Sequence, residues 1–134
     1  MNIAESNACN FCNIDKDTIL HYLWECPHVQ TFWNNFLDLL KEKCAHCDRL
    51  ELNSTLILFG TDHNTKTDIC FDDILLKAKC YIYKCRINII KPSVQHFVNG
   101  DLKQMYKIDK YIHYLEMNID IFYRKWLLYS NIVN

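Results

Sequence analysis

Only two glycines and two prolines occur among the 134 residues. A fold of many strands joined by tight turns draws heavily on both, so their scarcity argues against one. No apolar run approaches the roughly 20 residues that cross a bilayer, and no membrane is expected as a partner. The opening Met-Asn-Ile-Ala-Glu-Ser-Asn lacks the basic and apolar regions of a secretion signal. There is no glycine-rich phosphate loop, no Gly-x-Ser-x-Gly and no His-Glu-x-x-His, the usual marks of NTPases, hydrolases and metalloproteases. Strong charge of one sign is missing too: the formal net charge is −1.

What is present is half hydrophobic and carries eight cysteines. Without a secretion signal the expected setting is intracellular, nucleus or cytoplasm. In that reducing compartment cysteines read as thiols and metal ligands, not disulfides. The near-neutral total hides an asymmetry. Residues 1–75 hold five Lys/Arg against twelve Asp/Glu, a net of −7, and residues 76–134 hold ten against four, a net of +6. Such a split either marks a surface for a charged partner or lets the two halves attract each other.

Helical periodicity dominates. Pro27 suits the first turn of a helix that runs to about Lys43, with Val29, Phe32, Trp33, Phe36, Leu37 and Leu40 on one stripe. Leu56-Ile57-Leu58-Phe59-Gly60 reads as a strand or a buried extended plug, followed by a polar loop over 61–68. A helix is expected from about Asp72 to Ile90, stopped by Pro92. Its wheel has two apolar stripes, Leu75-Ala78-Ile82-Cys85-Ile89 and Leu76-Cys80-Tyr83-Ile87-Ile90, which predicts a central helix packed on both sides. Ser93 is placed to cap a helix over roughly 94–117, bent at Gly100, and a last helix begins near Asn118. Asp72 and Asp73 have no third carboxylate within view and read as acids at a helix start. His63, His96 and His113 lie among polar residues and are expected at the surface or the edge of the core.

The chemistry gathers near the front. Cys9, Cys12, His21 and Cys26 follow the pattern Cys-x2-Cys-x8-His-x4-Cys. A Cys-x-x-Cys turn presents two thiolates from one knuckle, and a His/Cys pair about one helical turn apart completes four tetrahedral ligands for zinc. Four protein ligands leave no open position, so the zinc is expected to be structural. Asp17 or Thr18 is placed to cap a short helix through Ile19, Leu20, Leu23 and Trp24. His28 is a substitute ligand set back by Pro27. A second Cys-x-x-Cys, Cys44 and Cys47, has no His/Cys pair following at finger spacing, and Cys80 and Cys85 read as core residues. On the later helices Lys77, Lys79, Lys84, Arg86 and Lys91 form basic stripes, with Tyr81, Tyr83, Tyr106, Tyr111 and Tyr114 interleaved or nearby. Cations of this kind can track phosphates and tyrosine rings can stack bases, which makes RNA or DNA the candidate ligand.

The segment Cys9-x2-Cys12, then Asp17-Thr18-Ile19-Leu20-His21-Tyr22-Leu23-Trp24-Glu25-Cys26-Pro27, then Phe32-Trp33, resembles the zinc-binding region that follows the reverse transcriptase in LINE-type (non-LTR) retrotransposon polyproteins. The likeness continues through Leu58-Phe59-Gly60, residues 78–86 and Phe122-Tyr123-Arg124-Lys125-Trp126, and so spans nearly the whole chain. It implies zinc at Cys9, Cys12, His21 and Cys26, with the Phe32/Trp33 helix packed on the zinc module. It also implies a tail that helps to bind element RNA or target DNA beside the polymerase. Neither the polymerase nor the endonuclease of that family fits here, so the resemblance implies an isolated, non-catalytic C-terminal remnant. The expectation is a mainly α protein, a small zinc-knuckle module on a bundle of four to five helices. Its parts are knuckle and helix over 1–45, an irregular connector over 46–70 and a helical part over 71–134, forming one compact unit. The competing expectation is a zinc-stabilised interaction module that docks on a protein partner or self-associates.

Overall fold

The computed structural model describes residues 8–44, 51–62 and 65–133. Among them are seven α-helices: α1 (Pro27–Lys43), α2 (Ser54–Phe59), α3 (Lys66–Asn88), α4 (Val94–His96), α5 (Lys103–Leu115), α6 (Ile119–Trp126) and α7 (Ser130–Val133). No strand forms among the described residues beyond one antiparallel bridge between Ala8 and Lys16. The mainly α expectation holds, with a Cys/His cluster at the N-terminal end.

Helix α1 behaves as its pattern requires. Pro27 takes the first turn, Lys41 and Lys43 occupy the last, and Val29, Phe32, Trp33, Phe36 and Leu40 are buried. Phe32 is the hub of the core. Its ring lies 5.3 Å from that of Trp33, 5.9 Å from Phe36, 5.7 Å from Tyr81 and 6.0 Å from Phe97. These are separations at which aromatic pairs attract beyond simple burial.

Three expectations need correction. Residues 56–59 are neither strand nor plug but part of α2, where Asn53 caps by accepting from Leu56 N–H at 2.8 Å and Gly60 ends the helix. Capping at both ends settles a segment that has no strand beside it to pair with. Phe59 is 78% exposed, and only Ile57 is buried. Helix α3 starts at Lys66, because Thr65 caps it by accepting from Asp68 N–H at 3.0 Å. Asp72 and Asp73 are therefore not the opening acids of the helix. Asp72 accepts from Thr61 N–H at 2.8 Å and Thr61 O–H at 2.7 Å, and Asp73 pairs with Lys77. Finally, α3 packs on one face only. Phe71, Ile74, Leu75, Ala78, Tyr81, Ile82 and Cys85 are buried, while Leu76, Tyr83, Ile87, Ile89 and Ile90 are exposed. The helix ends at Asn88, two residues short of Ile90, with Ile89 as its C-cap in the left-handed region at φ 56°.

The bend expected at Gly100 is a π-helical stretch, Phe97–Leu102, that joins α4 to α5 into one run, capped at its start by Ser93. It places Phe97, Val98 and Leu102 inside. Beyond it Ile108, Ile112 and Leu115 of α5 stay at the surface. The chain end, not foreseen as a packing element, returns to α1: Ile132 and Val133 of α7 are buried, and Asn131 Nδ2 donates to Lys43 O at 3.4 Å. His96 is exposed and pairs with the Tyr81 hydroxyl at 2.9 Å, His113 is buried, and His63 lies outside the described residues.

Two stability predictions follow from this packing. Gly60 sits at φ 79° and ψ −167°, a region essentially reserved for glycine. A Cβ there would come within 2.9 Å of Oδ1 of Asp72, whose carboxylate is held by Thr61 N–H at Oδ1 and Thr61 O–H at Oδ2. Gly60→Ala is expected to cost about 1–3 kcal/mol in urea unfolding, with the m-value unchanged.

The second concerns α5 and α6. Asp109 accepts from Trp126 Nε1 at 2.9 Å and pairs with Lys125 at 3.1 Å, while His113 Nδ1 faces Asn118 Oδ1 at 2.7 Å. Burial pushes the Asp109 carboxyl up, but the bonds from Trp126 and Lys125 outweigh it and hold the group below its ordinary 3.8. A depressed carboxyl stabilises the fold above its unfolded value and ceases to do so as pH falls through its folded value. The wild type is thus expected to lose stability as pH drops below about 4, and Asp109→Asn to lose less over that window, read from thermal midpoints across a pH series.

Candidate metal centre

Residues 8–16 form a knuckle. Cys9 N–H donates to Asp15 O at 2.8 Å and Asn13 N–H to Cys9 O at 2.8 Å, with Asn13 at φ 59°. Asparagine enters this left-handed conformation more readily than most side chains. The turn aims backbone donors at sulfur. Phe11 N–H points to Cys9 Sγ at 3.4 Å, and the amides of Ile14 and Asp15 lie at the Cys12 thiol.

The other two ligands come from a widened turn. Thr18, not Asp17, is the cap: His21 N–H donates to Thr18 Oγ1 at 3.1 Å. Residues His21–Glu25 are π-helical, and Cys26 N–H bonds to His21 O at 2.9 Å. In α winding, residue i+5 would sit about 140° past a full turn. The wider winding instead brings Cys26 back over His21. Cys26 then adopts an extended backbone as the N-cap of α1, with the first amides of that helix, His28 and Val29, at its thiol.

The ligand atoms of Cys9, Cys12, His21 and Cys26 all lie within 4.8 Å of one another. Cys9 Sγ and Cys26 Sγ are 3.8 Å apart, and Cys12 Sγ is 3.4 Å from His21 Nε2. A tetrahedron with metal–sulfur bonds of about 2.3 Å and metal–nitrogen bonds of about 2.0 Å has edges of about 3.8 and 3.5 Å. Cys9, His21 and Cys26 are buried and Cys12 is half-buried. Burial pushes the Cys26 thiol up to about 12, reinforced by Cys9 beside it. Cys12 comes down to about 6, since the Asp15, Ile14 and His21 bonds outweigh its desolvation. Two thiols at van der Waals distance cannot both ionise in a dry site unless a cation sits between them. The cluster can hold a metal ion. His28 is not in it, and the second Cys-x-x-Cys lies, beyond Cys44, outside the described residues.

The module is tied to the helical body by bonds that spacing did not single out. Asn10 Nδ2 donates to Arg86 O at 3.0 Å. Arg86 Nε reaches Asp17 Oδ1 at 3.1 Å and Oδ2 at 2.9 Å, and the guanidinium lies 4.8 Å from the Tyr22 ring centre. On the α1 side, Trp33 Nε1 donates to Leu23 O at 2.7 Å. The partners in the Asp17 and Asn10 bonds are 69 and 76 positions apart along the chain, so no local pattern could have revealed those two.

The five basic candidates do not share one fate. Arg86 is spent on Asp17, and Lys77 pairs with Asp73 and lies 5.3 Å from the Trp126 ring centre. Lys84 meets Asp101 at 3.0 Å but keeps 61% of its side chain exposed. Lys79 is half-buried and Lys91 exposed. Lys79 and Lys84 line a hollow of about 400 Å³ with Tyr22, Leu23, Cys80 and Tyr83, on the flank of the metal module. Comparisons with protein-family models, curated proteins and solved structures return no match to this chain.

Proposed function

We propose that the chain is a zinc-stabilised, non-catalytic module that binds RNA or DNA inside the cell, akin to an isolated C-terminal piece of a LINE-type reverse transcriptase polyprotein. The Cys9-Cys12-His21-Cys26 cage carries this reading. Three thiolates and one imidazole within 4.8 Å of one another suit Zn2+ above the harder divalent cations. With all four positions supplied by protein, the metal has no site for a substrate or a water, and its role is to hold the knuckle. The hollow of Tyr22, Tyr83, Lys79 and Lys84 beside it offers rings and ammonium groups to a phosphate chain.

The test is binding of labelled single-stranded RNA and DNA over a salt series. The affinity should fall steeply with salt, and removing Lys79 or Lys84 should lower the slope of log affinity on log salt by about 1 each. Absence of binding, or binding indifferent to salt, would overturn the nucleic-acid reading. A second reading has its own observation: Leu76 and Ile87 of α3, Ile90 just beyond it, and Ile108, Ile112 and Leu115 of α5 are all exposed. Exposed apolar side chains in such number are available for protein contacts. Self-association that persists at high salt would favour an interaction module instead.

A further inference from the structure

The outer face of the α5–α6 hairpin carries a groove of about 620 Å³ lined by Lys107, Lys110, Tyr111, Tyr114, Ile119 and Tyr123. The first four stand at i, i+3, i+4 and i+7 on α5, so one helix face presents two cations followed by two rings. The rings are open to solvent, Tyr111 at 63%, Tyr114 at 70% and Tyr123 at 52% exposure. Their base is firm, since Tyr123 packs on buried Phe122 at 5.3 Å and Tyr106 packs on Phe122 at 5.0 Å and on Trp126 at 5.2 Å. Lys110 Nζ stands 6.0 Å from the Tyr106 ring centre and 5.8 Å from that of Tyr123. Among the described residues no acid lines the groove. Asp109 belongs to the opposite side of α5, engaged by Trp126 and Lys125.

Such a surface suits a ligand that carries both planar rings and negative charge. An apolar protein helix would have no use for the lysines, and a bare anion would have none for the rings. We infer that this groove is a second nucleic-acid subsite, distinct from the hollow beside the metal module, which takes a short single-stranded segment by stacking bases on Tyr111, Tyr114 and Tyr123 while Lys107 and Lys110 meet its phosphates. The inference rests on the proposed nucleic-acid reading and assigns that binding a place on the molecule.

The experiment uses the zinc-loaded full chain and a fluorescein-labelled oligo(U) 12-mer, read by anisotropy, with uridine monophosphate as competitor. Tyr111→Leu and Tyr114→Leu should each weaken binding roughly tenfold, the loss of one stacked base. Tyr111→Phe should retain it, because the ring remains. Lys107→Gln/Lys110→Gln should weaken it and flatten the salt dependence. Since all four substituted side chains are on the surface, circular dichroism and zinc content should not change. Wild-type binding abolished by Lys79→Ala/Lys84→Ala but indifferent to every groove variant would overturn the subsite and leave the broader reading standing. Absence of oligonucleotide binding by the wild type would overturn both. Equal affinity for uridine monophosphate and the 12-mer would overturn a strand as occupant. Groove variants that dissociate an oligomer without touching oligonucleotide binding would overturn it in favour of a contact between copies.

Discussion

Cys9→Ser and His21→Ala are each expected to abolish metal binding and, with it, the ordered structure of residues 8–26. These residues contribute Cys9, Phe11, Leu23 and Cys26 to the buried core, and little else apolar. A segment this short cannot bury enough surface to fold unaided. Zinc supplies on the order of 10–16 kcal/mol of apparent binding free energy to modules of this kind, far more than any single contact. The loss should spread, because Leu23 O receives the Trp33 indole and Asp17 receives Arg86. Metal per chain by mass spectrometry, with circular dichroism on the same samples, is the measurement. Wild type should hold one zinc, lose helical signal with a chelator, and regain it on adding zinc; both variants should resemble the chelated protein. A metal-free wild type of full helicity would remove the cage from the account.

The metal cluster was readable because its ligands are close in sequence and their chemistry is restrictive. Thiol and imidazole at finger spacing mean much the same wherever the chain goes next. Helix α1 was readable for a related reason, since one stripe, one proline and two terminal lysines all agree. Helix α3 misled because a second apolar stripe on a wheel does not say whether anything meets it. Apolar residues line much of any protein surface, and Leu76, Ile87 and Ile90 are among them. The start of α3 was misplaced because two adjacent acids weigh less than a threonine that accepts a backbone N–H. The basic stripe was legible as composition only. Whether Lys77, Lys84 or Arg86 faces solvent depends on Asp73, Asp101 and Asp17, and two of those acids come from other segments of the chain. The lysine–tyrosine face of α5 stands at helical spacing in the sequence, but only the fold shows that Tyr111 and Tyr114 are open to solvent.

Arg86→Ala is expected to destabilise the fold by about 3 kcal/mol, where loss of a solvent-facing phosphate contact would leave stability almost unchanged. The Asp17 side chain is 9% exposed and that of Arg86 26%, so the pair is largely withdrawn from water. Bonding to Asp17 is the main cause that raises the guanidinium above its ordinary value, against the opposing effect of burial. Removing the arginine leaves a nearly buried carboxylate without its partner and strips the cation from the Tyr22 ring at 4.8 Å. Lysine cannot replace it. The bonds from one guanidinium to both Asp17 oxygens need a planar fork, and an ammonium offers a single point. Arg86→Lys should therefore recover less than half of the loss, and Asp17→Asn should reproduce much of it. Urea unfolding of these variants, beside Lys79→Ala and Lys84→Ala, separates the roles. The arginine variants should move the unfolding midpoint and zinc retention together. The lysine variants should move neither, and act only on the salt dependence of oligonucleotide binding. An Arg86→Ala protein with wild-type stability and weakened binding would return Arg86 to the ligand surface and leave the knuckle held to α3 by Asn10 and packing alone.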